Sequence, residues 1–244
     1  MTPPVPVEPR PAATVILLRD HVDAGGVARL EVLLLRRSAD TPFVPGAHVF
    51  PGGAVDAGDA DPGWDDHTDV DDERASAALG IDTGGRAYWI AAMRECLEEA
   101  GALVATVDGA MIDDSHPVLA DEDDLRRDLE RGAVDFLDLC RQHRLQLPIG
   151  DMAYVSRWVT PEESPRRYDT RFFAVAMPAG QSASADEWEA VDARWWSPAD
   201  ALDSWQAGRI ELIEPTVESL RLLVGFASVD EAMAALRSVG ERTP

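Results

Sequence analysis

The chain has 244 residues, 45 acidic against 22 basic, with a formal net charge of −23 and a pI near 4.4; such a field repels polyanions and excludes general binding to a nucleic-acid backbone. A hydrophobic fraction of 45% and a mean hydropathy of −0.17 allow an ordinary core, and no apolar run reaches the ~18–20 residues of a membrane span. Two cysteines, Cys96 and Cys140, exclude a disulfide framework and make the cytoplasm the default compartment.

Residues 1–11 are Pro-rich, lack the basic start and apolar stretch of a signal peptide, and read as a flexible lead. Thr14 to Leu18 and Leu30 to Leu35 are aliphatic and read as strands. The turn signal Asp23-Ala24-Gly25-Gly26 between them predicts a hairpin. Thr41 to Gly53 reads as a loop, a short strand at Val49-Phe50 and a tight turn. Asp56 to Gly85 is crowded with aspartates, and its composition predicts a solvated, partly mobile loop with one short helix near Arg74 to Leu79.

Ala87 to Val104 has helical periodicity, with Trp89, Met93, Cys96, Leu97 and Ala100 on one side and Gly101 as a stop. Asp121 to His143 reads as one or two helices that bury Leu125, Leu129, Phe136, Leu139 and Cys140. Met152 to Val159, Arg171 to Met177 and Val191 to Trp196 read as strands. Pro198 to Trp205, Glu214 to Val224 and Asp230 to Leu236 read as helices. This order predicts a mixed α/β domain, one sheet with helices on both faces, running from residue 12 to 244 with helical insertions.

The chemistry concentrates in Arg94-Glu95-Cys96-Leu97-Glu98-Glu99-Ala100-Gly101. Three or four residues apart, Glu95, Glu98 and Glu99 share one helix face. Their mutual repulsion is relieved by a hard divalent cation, since Mg²⁺ and Mn²⁺ prefer oxygen ligands. Arg94 is placed to brace one carboxylate. The plain alternative is a solvated acidic face. Upstream, Phe50-Pro51-Gly52-Gly53 supplies a turn whose backbone can approach closely and point a carbonyl at a metal.

These two segments resemble the Nudix box, G-x5-E-x7-R-E-U-x-E-E-x-G-U, where U is a bulky aliphatic residue. Gly53 matches the first glycine, and Asp59 stands where the first glutamate belongs. Arg94, Glu95, Glu98, Glu99 and Gly101 match the second half, while Cys96 and Ala102 replace the two aliphatic positions. Residues 60–93 stand where seven are expected, an acidic insertion at about 60–86. The split box, together with Ser156 to Pro161, Arg166 to Phe173 and Trp196 to Leu202, resembles the branch that includes the peroxisomal coenzyme A diphosphatases. The resemblance implies a Nudix α/β/α sandwich that holds Mg²⁺ or Mn²⁺ on Glu95, Glu98, Glu99 and the Gly53 carbonyl. It also implies hydrolysis of coenzyme A or acyl-coenzyme A to 3′,5′-ADP and a 4′-phosphopantetheine product.

The sister readings are a pyrophosphatase for ADP-ribose, NADH or a dinucleoside polyphosphate, and a non-catalytic nucleotide- or protein-binding module. The general base stays open among Glu95, Glu187 and Glu189. Lysine is absent, so arginine must meet any phosphate. Arg157, Arg166 and Arg167 are the candidates, with Arg171 in the same cluster; the alternative is that Arg166 and Arg167 pair with Glu162, Glu163 or Asp169 in a structural network. Phe43, Trp158 and Tyr168 offer rings for an adenine or for the core, and His48 is read as bracing the turn. Trp195-Trp196 and Ile210 to Leu212 suit either a core or a homodimer interface. The expected partner is a small nucleoside-diphosphate derivative, with no nucleic acid and no membrane.

Overall fold

A computed structural model describes residues 7–22, 25–41, 44–186 and 188–240, without the side chains of 239 and 240. Its centre is β1 (Arg10–Val22), whose period-2 pattern sorts side chains onto two faces. Ala13, Val15 and Leu17 enter one core, and Ile16 and Leu18 enter another. The aliphatic β2 (Ala28–Arg37) divides likewise, with Leu33 and Leu35 on one side and Val32 and Leu34 on the other. Both faces of the sheet are therefore covered, and the arrangement is an α/β/α sandwich.

The remaining strands are β3 (His48–Val49), β4 (Gly52–Ala54), β5 (Thr106–Val107), β6 (Ala110–Met111), β7 (Ala153–Val159), β8 (Tyr168–Ala176) and β9 (Ala190–Trp196). The main sheet runs β3-β2-β1-β8-β7, with β4 on β1 and β9 on β2, while β5 and β6 form a separate ribbon. Among the described strand pairings of this sheet, β1–β8 is parallel and the rest are antiparallel, which makes it mixed. The hairpin pairs Leu18 to Val22 with Ala28 to Val32 and then opens. Beyond the opening β1 pairs β4 and β2 pairs β3. The Pro-Gly-Gly turn sits in that split, with the Val15 N–H donating to the Pro51 carbonyl at 2.9 Å.

The helices are α1 (Asp72–Leu79), α2 (Arg86–Ala100), α3 (Glu122–Glu130), α4 (Phe136–His143), α5 (Pro198–Gln206), α6 (Glu214–Leu223) and α7 (Val229–Gly240). One face of the sheet meets α2, and α6 and α7 help cover the other. Gly101 ends α2 in the left-handed region at φ 69°.

Two expectations are corrected. The lead does not extend to residue 11, because Arg10 and Pro11 align with Tyr168 and Asp169 in β1–β8 pairing; Met1 to Pro6 lie outside the described residues, as do Asp23 and Ala24 of the hairpin turn. The aspartate-rich segment is folded rather than a mobile loop. Two 3₁₀ turns precede α1, and Trp64 is fully buried with its ring 5.4 Å from Phe136. Its acids serve as caps: Asp61 accepts from the Gly63 N–H, Asp71 from Arg74, Asp69 from Gly150, and Asp72 from both Gly84 and Arg86. The sequence at 60–86 is thereby fastened onto the start of α2. Trp196 and Ala201 enter the second core, with Ile210 and Leu212 packed against it, so these apolar segments act in the core.

Candidate active site

α2 is buried nearly all round. Of its fifteen residues all but Tyr88 and Glu98 are buried. The acidic face is therefore not a solvated surface. Glu95 and Glu99 are each 8% exposed, and the Pro-Gly-Gly turn lies against them. The Gly52 N–H donates to Glu99 Oε2 at 2.8 Å. A Cβ on Gly53 would collide with the Glu95 carboxylate, so the box glycine is required by close approach. Gly53→Ala is expected to displace Glu95, lowering activity at least tenfold and stability by about 1–3 kcal/mol, as read by kinetics and thermal melting of the same sample.

Arg94 braces more than one carboxylate. Its Nε and Nη2 donate to the two oxygens of Asp59, each at 3.0 Å. Nη1 reaches Glu95 Oε1 at 2.9 Å and Glu98 Oε2 at 2.7 Å, and Nη2 also meets the Ala54 carbonyl at 2.9 Å. Asp59, 35 residues upstream, thus closes the box across the insertion despite its shorter side chain.

Asp59, Glu95 and Glu98 share this single guanidinium with Glu99 alongside, and the imbalance appears in the proton affinities of these acids. Burial pushes Glu95 up to about 8, opposed by Arg94 and reinforced by Glu98. Burial pushes Glu98 up to about 7, again against Arg94. Glu99 is raised well above the usual carboxylate range by burial and by Glu95, with Glu189 adding and Arg37 opposing. Asp59 is raised by burial despite its bonds to Arg94. Uncompensated buried negative charge is the environment a hard cation suits.

Among the described residues, no three His, Cys, Asp or Glu side chains already stand as a metal cluster. Arg94 draws Glu95 and Glu98 to itself, and Glu99 turns toward Gly52. Each of the three carboxylates has its second oxygen outside these hydrogen bonds. The donor set therefore fits Mg²⁺ or Mn²⁺.

The site opens into a cavity of about 700 Å³ lined by Gly53, Arg94, Glu95, Glu98 and Glu99 and, from the β7–β8 region, by Trp158, Thr160, Arg166 and Tyr168. Of the predicted arginines only exposed Arg166 lines it. Arg157 forms a bidentate pair with Asp169, both bonds 2.7 Å. Arg167 donates to the carbonyls of Thr160 and Val7. Arg171 is buried and donates to the Leu79 carbonyl and Tyr154 Oη, pinning α1 to the sheet. Arg157 and Arg171 are cross-strand partners on β7 and β8 and both lie near Asp169, whereas Arg166 and Arg167 lie in the connection between the two strands. His48 sits on β3, edge-on to Trp196, with its pKa lowered by burial.

Phe43 and Glu187 lie outside the described residues. Glu189 lines the cavity, 3.8 Å from Arg37 across an ion pair. Sequence reasoning missed Arg37, Glu130, Asp186, Trp188 and Glu214, which also line it. One available signal was Arg37 itself, the last residue of β2 and the second of two arginines that follow its buried aliphatic run.

A carboxylate helix locked by one arginine against a Pro-Gly-Gly turn, inside an α/β/α sandwich, defines a Nudix domain. The sequence profile of the NUDT19 Nudix domain matches residues 9–85 and 71–223, and the chain belongs to that family. It is 28% identical over 233 residues to the acyl-coenzyme A diphosphatase NUDT19 of Xenopus laevis, covering 82% of this chain and 61% of that protein. It is 29% identical over 239 residues to the Homo sapiens protein of the same name, covering 82% and 62%. The chain thus spans about three fifths of the length of these curated relatives. The crystal structure of a NUDIX hydrolase from Alicyclobacillus acidocaldarius superposes with a TM-score of 0.74 at 28% identity, covering 94% of this chain and 97% of that one. Among the described residues, no helix is long and apolar enough to cross a membrane.

Proposed function

We propose that this chain is a divalent-cation-dependent diphosphatase acting on coenzyme A or acyl-coenzyme A. Water enters the diphosphate, and the products are 3′,5′-ADP and 4′-phosphopantetheine or its acyl thioester. The observation that carries this reading is that Glu95, Glu98 and Glu99 line the same cavity as Arg166, Trp158 and Tyr168. The proposed metal ligands and the proposed nucleotide contacts thus line one space. The names of the relatives support coenzyme A as the substrate class.

Glu95, Glu98, Glu99 and the Gly53 carbonyl would hold Mg²⁺ or Mn²⁺. A cation held there would supply charge to neutralise diphosphate oxygens and would lower the pKa of a water for attack on phosphorus. Arg94 keeps Glu95 and Glu98 in register with the Asp59 side of the box. Glu189, which lines the cavity opposite Arg37, would take a proton from the attacking water. Arg166 meets a substrate phosphate, and Trp158 and Tyr168 offer stacking faces to the adenine.

The cation also explains how an anionic substrate enters a protein of charge −23. A panel of coenzyme A, acyl-coenzyme A, ADP-ribose, NADH and diadenosine polyphosphates, each with Mg²⁺ and Mn²⁺, tests the reading. Coenzyme A or its thioesters should be turned over fastest; preference for another member replaces the substrate class, and no turnover with metal bound leaves a binding module. Arg166→Ala is expected to raise KM for coenzyme A about tenfold, the value of one lost charge-assisted contact. Arg157→Ala, held by Asp169, should change KM less than about twofold. Equal effects would remove Arg166 from the phosphate site.

A further inference from the structure

Arg126 lies on α3, a helix of mostly charged residues, yet it is fully buried. A buried guanidinium is tolerated only when its donors are satisfied. Here all five N–H groups are matched. Nε donates to the Glu98 carbonyl at 3.0 Å and Nη2 to the Glu99 carbonyl at 2.9 Å. Nη1 donates to Glu122 Oε1 at 3.1 Å and Ser184 Oγ at 2.9 Å, and Nη2 also reaches the Ser184 carbonyl at 3.1 Å.

The two helix carbonyls belong to the residues whose side chains form the acidic site. The last turn of a helix leaves its carbonyls without intrahelical donors and carries partial negative charge. Arg126 supplies two of the missing donors, and the Ser184 N–H supplies a third to the Ala100 carbonyl at 3.0 Å. Downstream, Asp186 accepts from the N–H groups of Trp188, Glu189 and Ala190, each at 2.9 Å. That segment carries Glu189 into the cavity. Gly101 lies against this clamp, since a Cβ there would collide with Glu122 Oε1.

We propose that Arg126 is a positioning residue for the acidic site: its guanidinium fixes the backbone of Glu98 and Glu99 and ties it to Ser184, two residues before the cavity-lining Asp186. This inference rests on the metal-dependent reading of the site. A lysine cannot reproduce the clamp, because it lacks the planar five-donor fork.

The test compares the unmodified protein with Arg126→Lys and Ser184→Ala. Mn²⁺ binding is read by electron paramagnetic resonance of the free ion, alongside kcat and KM for coenzyme A and the thermal midpoint. Arg126→Lys is expected to weaken Mn²⁺ binding and lower kcat, each about tenfold or more, with KM within about threefold. A purely structural arginine would lower the midpoint and leave Mn²⁺ affinity and kcat unchanged well below it. Ser184→Ala keeps the guanidinium and removes one acceptor, so it carries the test even where Arg126→Lys does not fold; a rise of about threefold in the Mn²⁺ Kd is expected. Mn²⁺ affinity and kcat within twofold of the unmodified protein, in either folded variant, overturn the proposal while the diphosphatase reading stands. An unmodified protein that binds Mn²⁺ but turns over no substrate counts against that reading alone, and the Mn²⁺ titrations still decide Arg126. An unmodified protein that binds no Mn²⁺ overturns both.

Discussion

Glu99→Gln is expected to lower kcat by about two to four orders of magnitude while the protein folds as before. The amide oxygen of glutamine still accepts from the Gly52 N–H, so the 2.8 Å bond to the turn survives. Only the charge is lost. In the metal-free protein that loss is mild or favourable, because burial and Glu95 already oppose ionisation of Glu99. The thermal midpoint without metal should therefore equal or exceed that of the unmodified protein, and the stabilisation by Mn²⁺ should shrink. Glu98→Gln should behave alike, although Arg94 loses one charged partner there. Activity and metal-free stability moving in opposite directions is the signature of a metal ligand. Near-normal kcat in both variants would place the metal elsewhere.

Arg94→Met has the largest expected effect on stability. The arginine is the cation against which Asp59, Glu95 and Glu98 are arranged, and it also satisfies the Ala54 carbonyl. Removing one partner of a buried charge network leaves charges uncompensated and typically costs about 3–5 kcal/mol. For a domain of this size that lowers the thermal midpoint by roughly 6–20 °C. Most of the cost should come from Asp59, whose carboxylate is 2% exposed and bonded to Arg94 through both oxygens. Asp59→Asn introduced together with Arg94→Met should therefore cost less than the sum of the single changes. Simple additivity, seen by thermal or denaturant melting of the four proteins, would mean that Asp59 and Arg94 do not depend on one another.

The fold was readable where burial writes a period into the sequence. β1 and β2 are aliphatic runs with turn residues between them, and α2 carries its apolar stripe and a glycine stop. The second half of the box was readable for a related reason, since its spacing forces Glu95, Glu98 and Glu99 onto neighbouring turns. The aspartate-rich segment was misread because composition does not distinguish a capping aspartate from a solvating one. Asp61, Asp71 and Asp72 are used up by backbone N–H groups that are visible only once the chain is folded. The arginines of β7, β8 and their connection could not be sorted for another reason. Sequence proximity groups Arg157, Arg166, Arg167 and Arg171, whereas their partners in the fold are an ion pair with Asp169, the cavity, two backbone carbonyls and the buried end of α1. Arg126 carried little local signal, because apart from Glu122 one helical turn away its partners are 27, 28 and 58 residues distant.

The central claim is that three carboxylates on α2 direct metal-assisted hydrolysis of a diphosphate. Its most direct test is product analysis by mass spectrometry after incubation with an acyl-coenzyme A in ¹⁸O-labelled water, with and without Mn²⁺. The predicted result is 3′,5′-ADP and the acyl-4′-phosphopantetheine in equal amounts, with one ¹⁸O on a phosphate and no reaction when the metal is chelated. Release of the free acid with coenzyme A left intact, or equal turnover without a divalent cation, would contradict it.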